Sequence, residues 1–425
     1  MVNNTITAPR DFLAAGVSCG IKQSGRPDLG LIVCPTGATA AAVFTTNKIV
    51  SAAIEVSKRH IKSQKIYAVV VNSGCANTCT GKLGLKNAIV MCAATASLVA
   101  RRSSLESRVT NHEPRTILIA STGIIGHQLP MKKIVSGIAK AAAKISNSPS
   151  AGLSFAQAIM TTDTKTKQTV RRLTMDDGRG TSRKHKPRIK DSVITIAGVV
   201  KGVGMIAPNM ATTLLFITTD VAISKPLLNR ALKDAIGNSL NKLTVDGHQS
   251  TNDTAIILAS GLAGNRPIVK QCPRYKKFAA ALSDLCDDLA KQMALDAEGA
   301  TRMFKVVVKG AVTKTDAAKA ARAVANYPLV KCAIHGGDPN WGRIICAVGS
   351  AVVKLNPAKL SCKIGPITVF KNGAPTKFDE KKASQIISKP EHTITVNLGI
   401  GVASDFCYGC DLSAEYVKIN AEYRT

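Results

Sequence analysis

Short runs rich in valine and isoleucine recur along this chain, and amphipathic stretches lie between several of them. That alternation constrains the fold most, because each run has the length of a strand and each stretch the length of a helix of three to five turns. Strands are predicted at 66–71, 117–121, 193–200, 214–219, 255–259, 304–308, 344–353 and 394–398, and helices at 87–102, 131–145, 276–295 and 315–326. Within 131–145, Ile134, Ile138, Ala141 and Ile145 share one face while Lys132, Lys133, Lys140 and Lys144 lie elsewhere. The elements keep no strict βαβ rhythm, which points to the α+β class with helices covering the outer faces of sheets. With 425 residues there is length for two or three packed units. Gly264, Pro267 and Pro273 mark the boundary expected between a catalytic layered unit, 1–270, and a C-terminal α+β unit, 271–425.

A hydrophobic content of 45% with 20% charged residues is globular composition. No apolar run reaches the roughly 18 residues of a membrane span, and no basic patch followed by an apolar stretch opens the chain, so no membrane partner and a cytoplasmic location are expected. Twelve scattered cysteines do not make a disulfide framework. Cys407-Tyr-Gly-Cys410 has the spacing of a metal or redox pair, but with no second CxxC and no nearby histidine no metal is expected.

The net charge is +30, and residues 165–190 alone carry ten basic and two acidic groups. Such a field attracts anions. Aromatics make up only 4% of the chain and none falls in that segment, so nucleic acid is not the expected partner. The segment reads as a solvated hairpin loop between two strands.

Familiar catalytic motifs fail: there is no GxSxG elbow, no GxxxxGK[ST] loop, no HExxH and no GxGxxG after a strand. What stands out is Lys201-Gly-Val-Gly-Met-Ile-Ala-Pro-Asn-Met-Ala211-Thr212. A Thr hydroxyl at the start of a strand, after a small residue and a tight turn, can attack its own upstream carbonyl. Hydrolysis of the resulting ester cuts the chain and leaves a threonine whose α-amine, titrating near 8, can serve as base for its own hydroxyl. Threonine at that place also suits plain β-propensity, and the residues alone leave both readings open. Ser121-Thr122-Gly123 can supply an oxyanion hole or a simple strand-to-helix turn. Further polar segments are 72–77, Thr161-Thr162-Asp163, 244–253, 298–301 and 337–343; together they suggest a site assembled from loops.

Four of these stretches in combination, KG-x-GMIAPNMAT, TVDG-x-x-STND, DPNWGRI and the terminal INAEYRT, closely resemble the bifunctional arginine-biosynthesis family, ornithine acetyltransferase / glutamate N-acetyltransferase. The resemblance extends from about Gly16 to Thr425. It implies an N-terminal-nucleophile type fold with two central sheets between helices, similar to self-processing aminopeptidases. It also implies cleavage between Ala211 and Thr212 into chains 1–211 and 212–425, which assemble as two α and two β chains. Thr212 would be the nucleophile, with Thr122 and Gly123 at the oxyanion positions. Substrate contacts would come from Thr161 or Thr162 (with Thr162 preferred), Lys201, Thr212, Glu298, Asn420 and Thr425. The implied reaction carries an acetyl group from N2-acetylornithine to glutamate, with no cofactor and with acetyl-CoA as a further donor in some members. A self-processing aminopeptidase or amidase, or a paralogue acting on another acyl-amino acid, is the alternative. The chain departs from the family's DGDTSTND by carrying His248 and Gln249, has Cys75 where an amide residue is usual, and is longer and more basic over 171–190.

Overall fold

The computed structural model describes residues 3–103, 113–175, 192–206 and 213–422. The first of its two sheets holds β1 (Leu13–Val17), β2 (Leu29–Phe44), β3 (Ile66–Cys75), β4 (Ile117–Ile124), β5 (Lys167–Met175), β6 (Ser192–Lys201), β7 (Leu214–Thr219) and β8 (Thr254–Ala259). Their order is β4-β3-β2-β8-β7-β6-β5, with β1 also paired to β2. The sixteen-residue β2 decides the shape. Residues 29–33 lie between β1 and β3, residues 39–44 pair with β8, and the register slips between Val33 and Ala38. A bulge in a long strand bends it, and here the bend turns the two halves of the sheet face to face. Ile32, Val69, Val71 and Leu118 from one half share a core with Val199, Leu214, Phe216, Ile256 and Leu258 from the other.

Helices close both outer faces. α1 (Ala52–His60), α2 (Gly81–Ser103) and α3 (Met131–Lys144) place Val56, Met91, Ile134 and Ile138 on Leu31, Val70 and Ile119. α4 (Pro149–Ile159) meets the inner core through Phe155, whose ring stands edge-on to Phe216 at 5.5 Å. α5 (Lys225–Gly237) and α6 (Pro273–Leu295) cover the other side with Leu228, Leu232, Phe278, Leu285 and Leu289 against Ile196, Leu215 and Ile257. The result is the helix–sheet–sheet–helix sandwich that the resemblance implies. Strand β3 shows why the sequence pattern was visible: Val70 faces one core and Val69 and Val71 the other, so the strand reads as an unbroken apolar run. Residues 81–100 of α2 are long and apolar enough to cross a bilayer, contrary to the expectation from sequence. The helix instead buries Ala88, Met91, Cys92 and Ala96 in the core of this layer.

The second sheet, the C-terminal α+β region, comprises β9 (Met303–Ala311), β10 (Ser361–Ile364), β11 (Ile367–Lys371), β12 (Ala374–Pro375), β13 (Glu391–Asn397) and β14 (Ala403–Cys410) in the order β12-β11-β10-β13-β9-β14. Around it lie α7 (Lys314–Asn326), α8 (Pro328–His335), α9 (Trp341–Gly349) and α10 (Glu380–Ile387), and α11 (Ala414–Glu422) ends the described chain. The strand predicted at 344–353 is wrong: residues 344–349 belong to α9 and residues 350–353 to the turn that follows it. The Asn340 side chain accepts from the Arg343 N–H at 3.2 Å and caps the helix, whose buried residues Ile344, Ala347 and Val348 follow helical spacing. A short apolar run suits either element, and only the cap and the packing decide. The Cys407–Cys410 pair is also settled by geometry. Residues three apart on β14 point to opposite faces, and the two thiols lie in different cores. Burial pushes Cys407 up to about 11.

Candidate active site

A cleft of about 320 Å³ opens where the ends of β4, β6, β7 and β8 meet the loop after α6 and helix α11. Thr122, Gly123, Thr161, Thr162, Lys201, Glu298 and Asn420 all line it, so seven of the candidates chosen from sequence converge although they span some 300 positions. Ala211, Thr212, Thr425 and the basic stretch from Arg179 to Lys190 lie outside the described residues. Thr213 and Leu214, which follow the proposed nucleophile, line the same cleft.

The segments are held by one another across long stretches of sequence. β3 and β4 run parallel with Ser73 opposite Thr122 and Gly74 opposite Gly123. The Ser121 hydroxyl donates to Asn72 Oδ1 at 2.7 Å, and Asn252 Nδ2 donates to the carbonyls of Ser121 and Ala76, both at 2.7 Å. Asn252 thus stitches 72–77, the end of β4 and the 244–253 segment into one wall. Gly123 sits at φ +127°, and a Cβ there would fall 2.3 Å from the Gly74 backbone. Gly123→Ala is therefore expected to cost on the order of 2–5 kcal/mol from strain and overlap together, read as a fall in the denaturant midpoint; a change under about 0.5 kcal/mol would show that the wall yields.

The charges in the cleft are unevenly paired. Lys201 is buried, its ammonium donates to Thr122 Oγ1 at 3.1 Å, and burial holds it below the usual lysine range although Asp163 pulls the other way. Among the described residues no carboxylate forms a salt bridge with it. Glu298 accepts from the Thr162 hydroxyl at 2.7 Å and from Asn420 Nδ2 at 3.0 Å. Its carboxylate seats against Gly204, where a Cβ would lie 2.2 Å from Oε2. The hydroxyl that touches Glu298 is that of Thr162; the Thr161 N–H donates instead to Asp163.

Behind this wall lies a buried charge cluster that the sequence did not single out. Lys167 Nζ is 2.6 Å from Asp163 Oδ1 and 2.5 Å from Asp296 Oδ2, all three side chains being almost wholly buried. Asp163 also accepts from the Gly202 N–H at 2.9 Å. The cluster therefore joins the Thr161–Thr162 turn, the Lys201–Gly202 turn and the segment that leads to Glu298. Burial alone would raise Asp163, but Lys167 and Lys201 bring it down to about 2. Asp246 was also missed as a single residue. It accepts from the Met205, Ile206 and His248 N–H groups at 2.6, 2.9 and 3.0 Å and holds Met205 at φ +55°. Only position in space marks these acids out, since an aspartate in a polar loop carries no special signal.

One expected segment stands elsewhere. The 337–343 turn is not part of the cleft: Trp341 opens α9 and stacks on Phe370 at 5.2 Å in the second sheet's core. His248 does line the cleft, whereas Gln249 does not.

Known proteins are similar to this chain over nearly its whole length. The profile of the ArgJ family matches residues 13–425. The arginine biosynthesis bifunctional protein ArgJ of Geobacillus kaustophilus (strain HTA426) is 41% identical over 426 residues, covering 100% of this chain and 97% of that protein. Among solved structures, arginine biosynthesis bifunctional protein ArgJ from Bacillus halodurans is 42% identical, covers 49% of this chain and 98% of its own, and has a TM-score of 0.48. Ornithine acetyltransferase from Mycobacterium tuberculosis, complexed with ornithine, is 31% identical, covers 50% and 98%, and has a TM-score of 0.40. A profile match over nearly the full length, joined to such identity, means that this chain belongs to the ArgJ family.

Proposed function

We propose that this protein is the acetyltransferase of arginine biosynthesis that moves an acetyl group from N2-acetylornithine to glutamate through an ester on Thr212. The observation that carries the reading is the charge pattern of the cleft: a buried Lys201 ammonium with no carboxylate salt-bridged to it among the described residues, in the same cleft as a Glu298 carboxylate fixed by Thr162 and Asn420. An α-amino acid carboxylate suits the first and the side-chain ammonium of ornithine the second. Cleavage between Ala211 and Thr212 would free the Thr212 amine, which takes the hydroxyl proton as that oxygen attacks the acetyl carbonyl. Thr122 and the backbone at Gly123 would steady the oxyanion. Ornithine leaves with a proton from the same amine, glutamate enters, and its amine takes the acetyl group. Nucleophile, base and oxyanion donors all come from the chain, so no resident cofactor is called for; an acetyl-CoA donor would form the same ester. The cut chains, 1–211 and 212–425, would pair as two α and two β in the cytoplasm.

Mass spectrometry of products from N2-acetylornithine tests the proposal. With glutamate present, ornithine and N-acetylglutamate are expected in equal amounts. Free acetate released equally fast without glutamate would make the protein an amidase. Glu298→Gln keeps the shape of the site but removes the charge. It is expected to raise the KM for N2-acetylornithine by about 10–100-fold, the worth of one charge-assisted hydrogen bond. An unchanged KM would place the ornithine ammonium elsewhere.

A further inference from the structure

We propose that Asp253 is a further substrate-contacting residue of this cleft, its free carboxyl oxygen accepting a hydrogen bond from the α-nitrogen of the amino-acid substrate. The inference rests on the transferase reading above and adds a contact that the resemblance does not assign.

Asp253 lines the cleft, is 2% exposed, and its Oδ2 has no hydrogen-bond partner among the described residues. A buried acceptor left unmade costs about 1–3 kcal/mol, so an atom like this is normally satisfied by a ligand or by water. Its place follows from the sheet. β7 and β8 are parallel with Leu214 opposite Thr254, and the Thr254 N–H donates to the Thr213 carbonyl at 2.9 Å. Asp253 thus stands beside Thr213, one residue after the proposed nucleophile.

The other polar groups of the cleft leave this part of the substrate unserved. Lys201 suits the α-carboxylate, and Glu298 is already held by Thr162 and Asn420 at the side-chain end. An N-acetyl amino acid also carries an amide N–H, and a free amino acid an amine at the same atom. Burial pushes Asp253 well above the ordinary carboxyl range, while Lys201 and the Ser250 and Thr45 hydroxyls oppose that rise. A neutral carboxyl still offers an acceptor oxygen and adds no negative charge near the substrate carboxylate held by Lys201.

The test is a thermodynamic cycle read by titration calorimetry. Ornithine and 5-aminopentanoate, which lacks only the α-amine, are titrated into wild type and Asp253→Leu, with Asp253→Ala should the larger side chain clash. Leucine replaces an unsatisfied buried group by an apolar one of similar shape, so the fold is expected to hold. Wild type is expected to bind ornithine about 30–100-fold more tightly than 5-aminopentanoate, and the variant to bring the two within about threefold. A gap that persists in a variant still able to bind 5-aminopentanoate overturns the contact. So does wild-type protein that binds ornithine with no gap, and this result leaves the transferase reading standing. Wild-type protein that binds neither compound overturns both.

Discussion

Purified Thr212→Ala protein is expected to run as one uncut chain and to have lost at least about 10⁴-fold in acetyl transfer, whereas wild type separates into fragments 1–211 and 212–425. Alanine has no hydroxyl to attack the carbonyl of residue 211, so no ester forms and no new N-terminal amine is released. Without that amine and without the hydroxyl, neither base nor nucleophile exists. Intact-mass measurement reads the cut directly, and Thr212→Ser, which keeps a hydroxyl, should still process. Cleavage of the alanine variant at the same bond would remove the mechanism, because another group would then have to supply the attack.

Lys167→Met is expected to destabilise the protein by about 3–5 kcal/mol, as a buried cation is removed from between two carboxylates that stay buried. Lys167 Nζ lies 2.6 Å from Asp163 and 2.5 Å from Asp296, and Asp163 also holds the Gly202 N–H. The turns that carry Thr162 and Lys201 should loosen together, so activity falls along with the denaturant midpoint. The pH dependence has a defined sign. Asp163 is depressed to about 2 from an ordinary 3.8, so in wild type its contribution is complete above pH 4 and fades as the pH drops toward 2. In Lys167→Met burial acts on Asp163 with less opposition, its proton is taken up at higher pH, and the gap from wild type should narrow on acidification. A gap that is constant between pH 3 and pH 7 would mean that the lysine acts by packing alone.

The parts of the fold that were legible in the sequence are those where local pattern and tertiary place agree. β7 was expected at 214–219 and occurs at Leu214–Thr219, because both faces are buried and every position is apolar or a threonine. β2 was missed. Its LGLIVCPTGATAAAVF carries Gly, Pro, Thr and small alanines that look like a loop, yet it is an interior strand of the first sheet, between β3 and β8. Small residues are tolerated there since the bend brings the halves close together, which is information held by the partner strands and not by β2. The 344–353 run went wrong for the converse reason: its apolar content suits strand and helix equally, and the Asn340 cap settled the matter.

The amino-acid sequence by itself determined the family, the layered α+β class and seven of the residues that line the cleft, because motif residues must have particular chemistry wherever the fold puts them. Only the tertiary structure decided how those side chains are supported and charged. Among the described residues it joined Asp163, Lys167 and Asp296 behind the wall, left Lys201 without a salt bridge, and left one oxygen of Asp253 unsatisfied. It also separated Cys407 from Cys410 and moved the 337–343 turn to another core. The reason is physical. Burial and the neighbours that arrive from distant segments set the energy of a charge, and neither can be read from the residues beside it in the chain.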